Sequence, residues 1–193
     1  MYPRLPATGN GSTFLMLETE RLTIRPLRKS DYKDIHEYMS APETFRFERG
    51  KPASIKESQK FCREFSAKEP TNFWIAELKT NYKVIGHVSF FPEKPPEFKT
   101  WNIGYIFHPK YYGQGYATEA AKAVIKYAFT ELNAHRIVAY CGTENIASWK
   151  VLEKCNMRKE GLMKCNFLHH QDENKKEVWF DSYCYAILDE EFR

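Results

Sequence analysis

The stretch YYGQGYATEA, residues 111–120, sets Gly113 and Gly115 one residue apart between an apolar run and an alanine-rich segment. Glycine costs chain entropy unless its freedom or its missing side chain is used. Upstream, residues 101–107 read as a strand closed by His108-Pro109. Downstream, residues 118–132 read as a helix whose Ala121, Val124 and Ala128 share a face. A helix beginning at Ala117 or Thr118 leaves the N–H groups of its first turn unpaired and presents the positive end of its dipole. Glycines before it let a ligand approach the backbone. The expected occupant is a phosphate or diphosphate; a tight turn needing positive φ is the alternative.

Outward from this loop the chain reads as one domain. Residues 21–25 alternate as a strand, with Pro26 at its edge. Ser30 opens a short helix to about Met39, and Ser54 with Glu57 forms a capping box before a helix carrying Phe61 and Phe65. Residues 73–78 and 83–91 form a hairpin around Thr80, Asn81 and Tyr82, and PEKPPEF, residues 92–98, is a surface loop. After the glycine loop come a strand at 136–141, a helix at 147–155, and two long strands at 159–167 and 178–188 around a polar turn at 169–176. The order β-α-α-β-β-β-α-β-α-β-β implies a single α/β domain over residues 15–193. Its mixed, mostly antiparallel sheet would carry helices on both faces. Residues 1–14, with Pro3, Pro6, Gly9 and Gly11, read as a flexible arm.

Composition excludes several classes. A net charge of +4 over 193 residues is mild, with no basic block of the kind nucleic-acid binding shows. Five cysteines without a C-x-x-C pair argue against a disulfide scaffold and against a metal site. The N-terminus lacks the apolar core of a signal peptide, and no apolar run approaches the length of a membrane span. The expectation is a cytoplasmic protein with reduced thiols, no metal, no nucleic acid and no membrane partner; a homodimer is left open.

Two nucleotide-binding patterns compete for the loop. The dinucleotide fingerprint G-x-G-x-x-G needs a third glycine, and that position is Thr118. The second accounts for far more of the chain. LETERLTIRPL at the start, GYIFHPKYYGQGYATEA in the centre and NIASWKVLEKCNM followed by RKEG stand in fixed order. Together they resemble the GNAT superfamily of acetyl-CoA-dependent N-acetyltransferases. Within it they are most similar to the Rim-type enzymes that acetylate the N-terminal alanine or serine of ribosomal proteins.

The resemblance implies an acetyl-CoA co-substrate, its diphosphate on the backbone of Gln114, Gly115, Tyr116, Ala117 and Thr118. It implies that Ile106, Phe107 and His108 line the thioester. Asn145 would touch the pantetheine, and Lys150 and Lys154 could reach a phosphate. It also implies direct attack of a neutral amine. The family's usual acid tyrosine is replaced by Leu152, and a common glutamate by Asn102. Ser148, one turn into the helix, is left as the hydroxyl donor and His108 as the candidate base. Glu119, in the first helical turn, is expected simply to favour the dipole. The favoured acceptor is a protein N-terminal α-amine. A polyamine or aminoglycoside acceptor and a non-catalytic acyl-CoA-binding module are the alternatives.

Overall fold

The apolar and alternating segments assemble into an eight-stranded sheet. Its strands are β1 (Leu17–Glu18), β2 (Leu22–Pro26), β3 (Phe73–Leu78), β4 (Val84–Pro92), β5 (Thr100–Phe107), β6 (Arg136–Gly142), β7 (Arg158–Gln171) and β8 (Glu177–Leu188). The computed structural model describes residues 16–66 and 72–192; the expected arm, residues 1–14, lies outside the described residues. The strand order is β1-β2-β3-β4-β5-β6-β8-β7. Every neighbouring pair is antiparallel except β5 and β6, which helix α3 (Tyr116–Thr130) joins as a parallel crossover.

Helices cover both faces. On one, α3 lays Ala120, Ala121, Val124, Ile125 and Ala128 on a core with Ile24, Trp74, Ile103 and Ile137, and Leu152 of α4 (Ile146–Lys154) joins it. Small alanines let the helix backbone sit close to the strands. On the other, α1 (Tyr32–Met39) and α2 (Ile55–Phe65) close a second core of Ile35, Tyr38, Cys62, Ile75 and Val84. Helix α2 starts where the capping box predicts: Ser54 Oγ accepts from Glu57 N–H, and Glu57 Oε2 accepts from Ser54 N–H at 2.7 Å.

The edge of this second core is ionic. Arg25 is buried and donates to both oxygens of Asp31 at 2.9 Å, while its Nη2 and Nε donate to Glu77 at 2.7 and 2.9 Å. Asp31 Oδ2 also accepts from Arg28 N–H. With two carboxylates and a fixed fork the burial of these charges is compensated; removing one partner from such a cluster costs about 3–5 kcal/mol.

Some boundaries differ from the sequence reading. Helix α3 begins at Tyr116, not at Ala117 or Thr118, because Gly115 takes φ 84° and caps it. The 92–98 segment holds a 3-10 turn at Pro96–Phe98. Strand β7 runs past Phe167 to Gln171, paired with β8 through His170 with Val178 and Gln171 with Glu177. His169 and His170 therefore belong to a strand, and the turn is confined to residues 172–176. All five cysteines are free thiols. No helix among the described residues is long and apolar enough to cross a membrane.

Candidate active site

The site follows from one break in the sheet. Strands β5 and β6 pair only where Thr100, Trp101 and Asn102 meet Arg136, Ile137 and Val138. Beyond that, β5 stays with β4 to Phe107 and β6 stays with β8 to Gly142, so a gap opens between them. A cavity of about 270 Å³ fills it. Its lining comes from both sides of the sheet. Ile103, Tyr105 and Leu152 belong to or pack against the α3/α4 core, and Ile106 and Phe73 pack against the α1/α2 core. The gap is thus lined from both faces of the sheet.

The backbone along β5 has a polarity. His108 N–H donates to Ile85 O at 2.8 Å, and the register continues as Phe107 opposite Gly86 and Ile106 opposite His87. Amides on a strand alternate in direction. Ile106 and His108 therefore spend their N–H groups on β4, and Tyr105 and Phe107 turn theirs into the gap. Of the three positions expected beside a thioester, Phe107 offers an amide and Ile106 a side chain. The His108 ring packs 6.4 Å from Tyr38 and 5.7 Å from Tyr111, with Nε2 3.7 Å from Glu37, and is not part of the cavity lining. Burial lowers its pKa, partly offset by Glu37. The His108 ring thus lies outside the cavity that Glu48 and Ser148 line.

Two groups that sequence reasoning missed face the gap. Glu48 lies in the connection between α1 and α2, half-buried at the cavity wall, without an ion-pair partner among the described residues. Burial pushes its carboxyl up to about 7. From the opposite face, Tyr105 projects its hydroxyl to α4, where it donates to Ser148 O at 2.8 Å and lies 3.1 Å from Ser148 Oγ. Burial carries the Tyr105 pKa far above the phenol range, so it works as a neutral hydrogen-bond group. His87, also on the wall, is held neutral by burial, at about 4, with Nδ1 2.8 Å from the Tyr38 hydroxyl. Leu152, where the acid tyrosine was expected to be missing, fills the wall beneath Ser148.

Asn145 caps α4, its Oδ1 accepting from Ser148 N–H at 3.2 Å, which fixes Ser148 in the first turn beside the gap. Lys154 lies in the last turn of α4, and Lys150 is exposed with Nζ 5.9 Å from the Trp149 ring centre.

The glycine loop sits at the same end of β5. Gly113 and Gly115 take φ 74° and 84°, and a side chain at Gly113 would stand in open space. The first main-chain bond of α3 is Glu119 N–H to Gly115 O at 3.0 Å, so the N–H groups of Tyr116, Ala117 and Thr118 precede the helical ladder. An open approach and a row of such donors suit a diphosphate. No cluster of three metal-ligating side chains occurs among the described residues.

The Tyr105 and Ser148 hydroxyls, paired on the cavity wall, are a testable unit. Ser148→Ala and Tyr105→Phe should each lower kcat about tenfold with little change in KM for acetyl-CoA. The double variant should lose little more than either single one, since both act on one hydrogen bond. Steady-state kinetics decide it; an unchanged kcat in Ser148→Ala would leave water as the proton source.

Comparison with known proteins agrees with this architecture. Residues 21–158 match the family model described as an acetyltransferase (GNAT) domain. The uncharacterized N-acetyltransferase YnaD of Bacillus subtilis is 34% identical over 176 residues, covering 91% of this chain and 98% of the relative. A GNAT-family acetyltransferase from Bacillus anthracis superposes with a TM-score of 0.81 at 34% identity, covering 92% of this chain and all of that one (100%). Two solved structures share the fold at 22% identity. The ribosomal-protein-S5-alanine acetyltransferase of Vibrio fischeri has a TM-score of 0.76, covering 93% and 99% of the two chains. The spermidine N-acetyltransferase of Vibrio cholerae, solved with CoA and spermine, has a TM-score of 0.74, covering 89% and 97%.

Proposed function

Because this chain belongs to the GNAT acetyltransferase family, we propose that it passes the acetyl group of acetyl-CoA to a protein N-terminal α-amine, with Glu48 as proton acceptor. Members of the family use acetyl-CoA, and the open amides at the head of α3 suit its diphosphate. The acyl arm then enters the gap from the α3/α4 face, and the amine comes from the α1/α2 face beside Glu48. The Phe107 amide polarises the thioester carbonyl. As the neutral amine attacks, the Glu48 carboxylate takes the proton that nitrogen must lose. The carbon–sulfur bond breaks, and the Ser148 hydroxyl, backed by Tyr105, donates a hydrogen bond to the departing sulfur.

The observation that carries this reading is the place of Glu48 on the wall of the cavity that Ser148 also lines, where burial pushes its carboxyl up to about 7. A base is most effective when its pKa lies near the working pH. An α-amine, near 7.7–8.0, is partly neutral there, whereas a lysine-type amine near 10.4 requires about 3–4 kcal/mol more to deprotonate at pH 7. A weak base therefore fits the first acceptor better than the second.

A small polyvalent amine is the second reading. It draws on a neighbouring cavity of about 250 Å³ that brings Phe47, Trp179 and Phe180 together with Glu144 and Asp181. Asp181 is already paired with Lys164 at 2.6 Å, which weakens its hold on a further cation.

An acceptor panel at pH 7 tests the choice. A peptide with a free N-terminal alanine or serine should exceed spermidine, and the same peptide with only a lysine amine free, by about tenfold or more in kcat/KM. Preference for spermidine would overturn the α-amine assignment.

A further inference from the structure

The opening block LETERLTIRPL contains Thr19 and Arg21, and both reach Glu119 in the first turn of α3. Glu119 Oε1 accepts from the Thr19 hydroxyl at 2.7 Å and from Arg21 N–H at 2.8 Å; Oε2 accepts from Arg21 Nε and Nη2, both at 2.7 Å. Burial alone would raise the Glu119 pKa, but the Thr19 and Arg21 hydrogen bonds hold it below the usual carboxylate value. With Nε and Nη2 thus anchored, the guanidinium has one edge left. Nη1 donates to the carbonyl of Gln114 at 3.0 Å, and Cζ lies 4.2 Å from the centre of the Tyr116 ring.

We propose that Arg21 is a positioning residue for the diphosphate loop, holding the Gln114 carbonyl on the strand side so that the loop amides face the ligand. The physical link is the peptide plane. Across a trans peptide the C=O of Gln114 and the N–H of Gly115 point in opposite directions. Drawing the carbonyl toward Arg21 turns the Gly115 N–H outward, next to those of Tyr116 and Ala117. Gly115 itself, at φ 84°, is a hinge with little preference of its own, and an external brace is what selects one orientation. Glu119 neutralises the guanidinium, so the brace acts through geometry and adds no net charge to the loop. A Lys at position 21 would keep the charge but lose the three-pronged fork. This assignment rests on acetyl-CoA as the donor.

The test compares two donors and two variants. Arg21→Gln and Arg21→Lys are assayed with acetyl-CoA and with S-acetylpantetheine, which has the thioester arm but no diphosphate; CoA affinity is measured separately by calorimetry, without an acceptor. In both variants the CoA Kd and the KM for acetyl-CoA should rise about tenfold, with kcat changed by less than about twofold. Turnover of S-acetylpantetheine should match that of the parent. Equal losses on both donors would mean that Arg21 merely ties β2 to α3, and full CoA affinity in Arg21→Lys would mean that charge alone matters; either overturns the proposal. Should Arg21→Gln fail to fold, Arg21→Lys carries the comparison. If the parent protein itself bound no CoA, the donor assignment would fall first, and that outcome is distinct from the others.

Discussion

Glu48→Gln should lower kcat/KM for an α-amine peptide by about 10²–10⁴ at pH 8, the usual contribution of a general base. The pH profile is the sharper signature. In the parent protein two groups must be deprotonated: the carboxyl, at about 7, and the free acceptor amine, near 7.7–8.0. The logarithm of kcat/KM should therefore climb with a slope of about two below pH 7, about one up to pH 8, and then level. Glu48→Gln removes the lower break and leaves a slope of about one up to the amine pKa. A variant that keeps the parent profile would eliminate Glu48 as the base, whatever its rate.

The same substitution should stabilise the fold. A carboxyl raised from its ordinary value of 4.5 to about 7 binds its proton more tightly when folded than when unfolded. Stability is therefore lost as pH rises from the unfolded value through the folded one, and it stays lost above. The ceiling at pH 8 is about 3 kcal/mol, at about 1.36 kcal/mol per pH unit. Glutamine carries no charge to desolvate. Thermal melts should show a gain for Glu48→Gln that is absent at pH 4, grows through pH 7 and is then constant. Loss of rate together with gain of stability separates a catalytic carboxylate from one that holds the loop in place.

Neither Glu48 nor Tyr105 was legible in the sequence, and the reason is physical. Glu48 sits in FRFERG, between Phe47 and Arg49, in a segment with neither a helical nor a sustained strand period, and reads as a solvated loop acid. Its environment is created by strands β4 and β5, which lie far along the chain. Tyr105 reads as one more aromatic on a strand until α4 brings the Ser148 carbonyl to its hydroxyl. Local signals fared differently. Ser54 with Glu57 and Asn145 with Ser148 are bonds between residues three apart, so their side-chain chemistry alone foretells them. The end of β7 was read short because HHQDENKK is polar, yet an outer strand pairs through its backbone and tolerates polar side chains on both faces. The role of Glu119 was underestimated for the opposite reason: its first-turn position has a sufficient local explanation, and its partners Thr19 and Arg21 are about a hundred residues away.

Gly115→Glu should abolish useful CoA affinity, raising Kd by about 10²–10³. Two effects combine in that variant, and a second variant separates them. The first is strain: φ 84° lies in the left-handed region, where an ordinary L-residue costs about 1–2 kcal/mol and Asn is better tolerated. Space is not the obstacle, since the nearest atom to an added Cβ is Arg21 Nη2 at 3.4 Å. Gly115→Asn should therefore retain most of the affinity. The second effect is charge. A carboxylate about 4 Å from a phosphate, at an effective dielectric of about 20, is opposed by about 4 kcal/mol, which is close to three orders of magnitude. Salt distinguishes the two. Screening shortens the reach of like-charge repulsion as readily as that of attraction, so rising ionic strength should narrow the gap between Gly115→Glu and the parent and leave the gap for Gly115→Asn unchanged. Thermal melting gives the simplest readout: at 100 times its Kd a ligand adds about 2.7 kcal/mol, so the parent should shift with CoA and Gly115→Glu should not. A normal CoA shift in Gly115→Glu would mean that the diphosphate lies elsewhere and that the loop at 113–118 is a turn and nothing more.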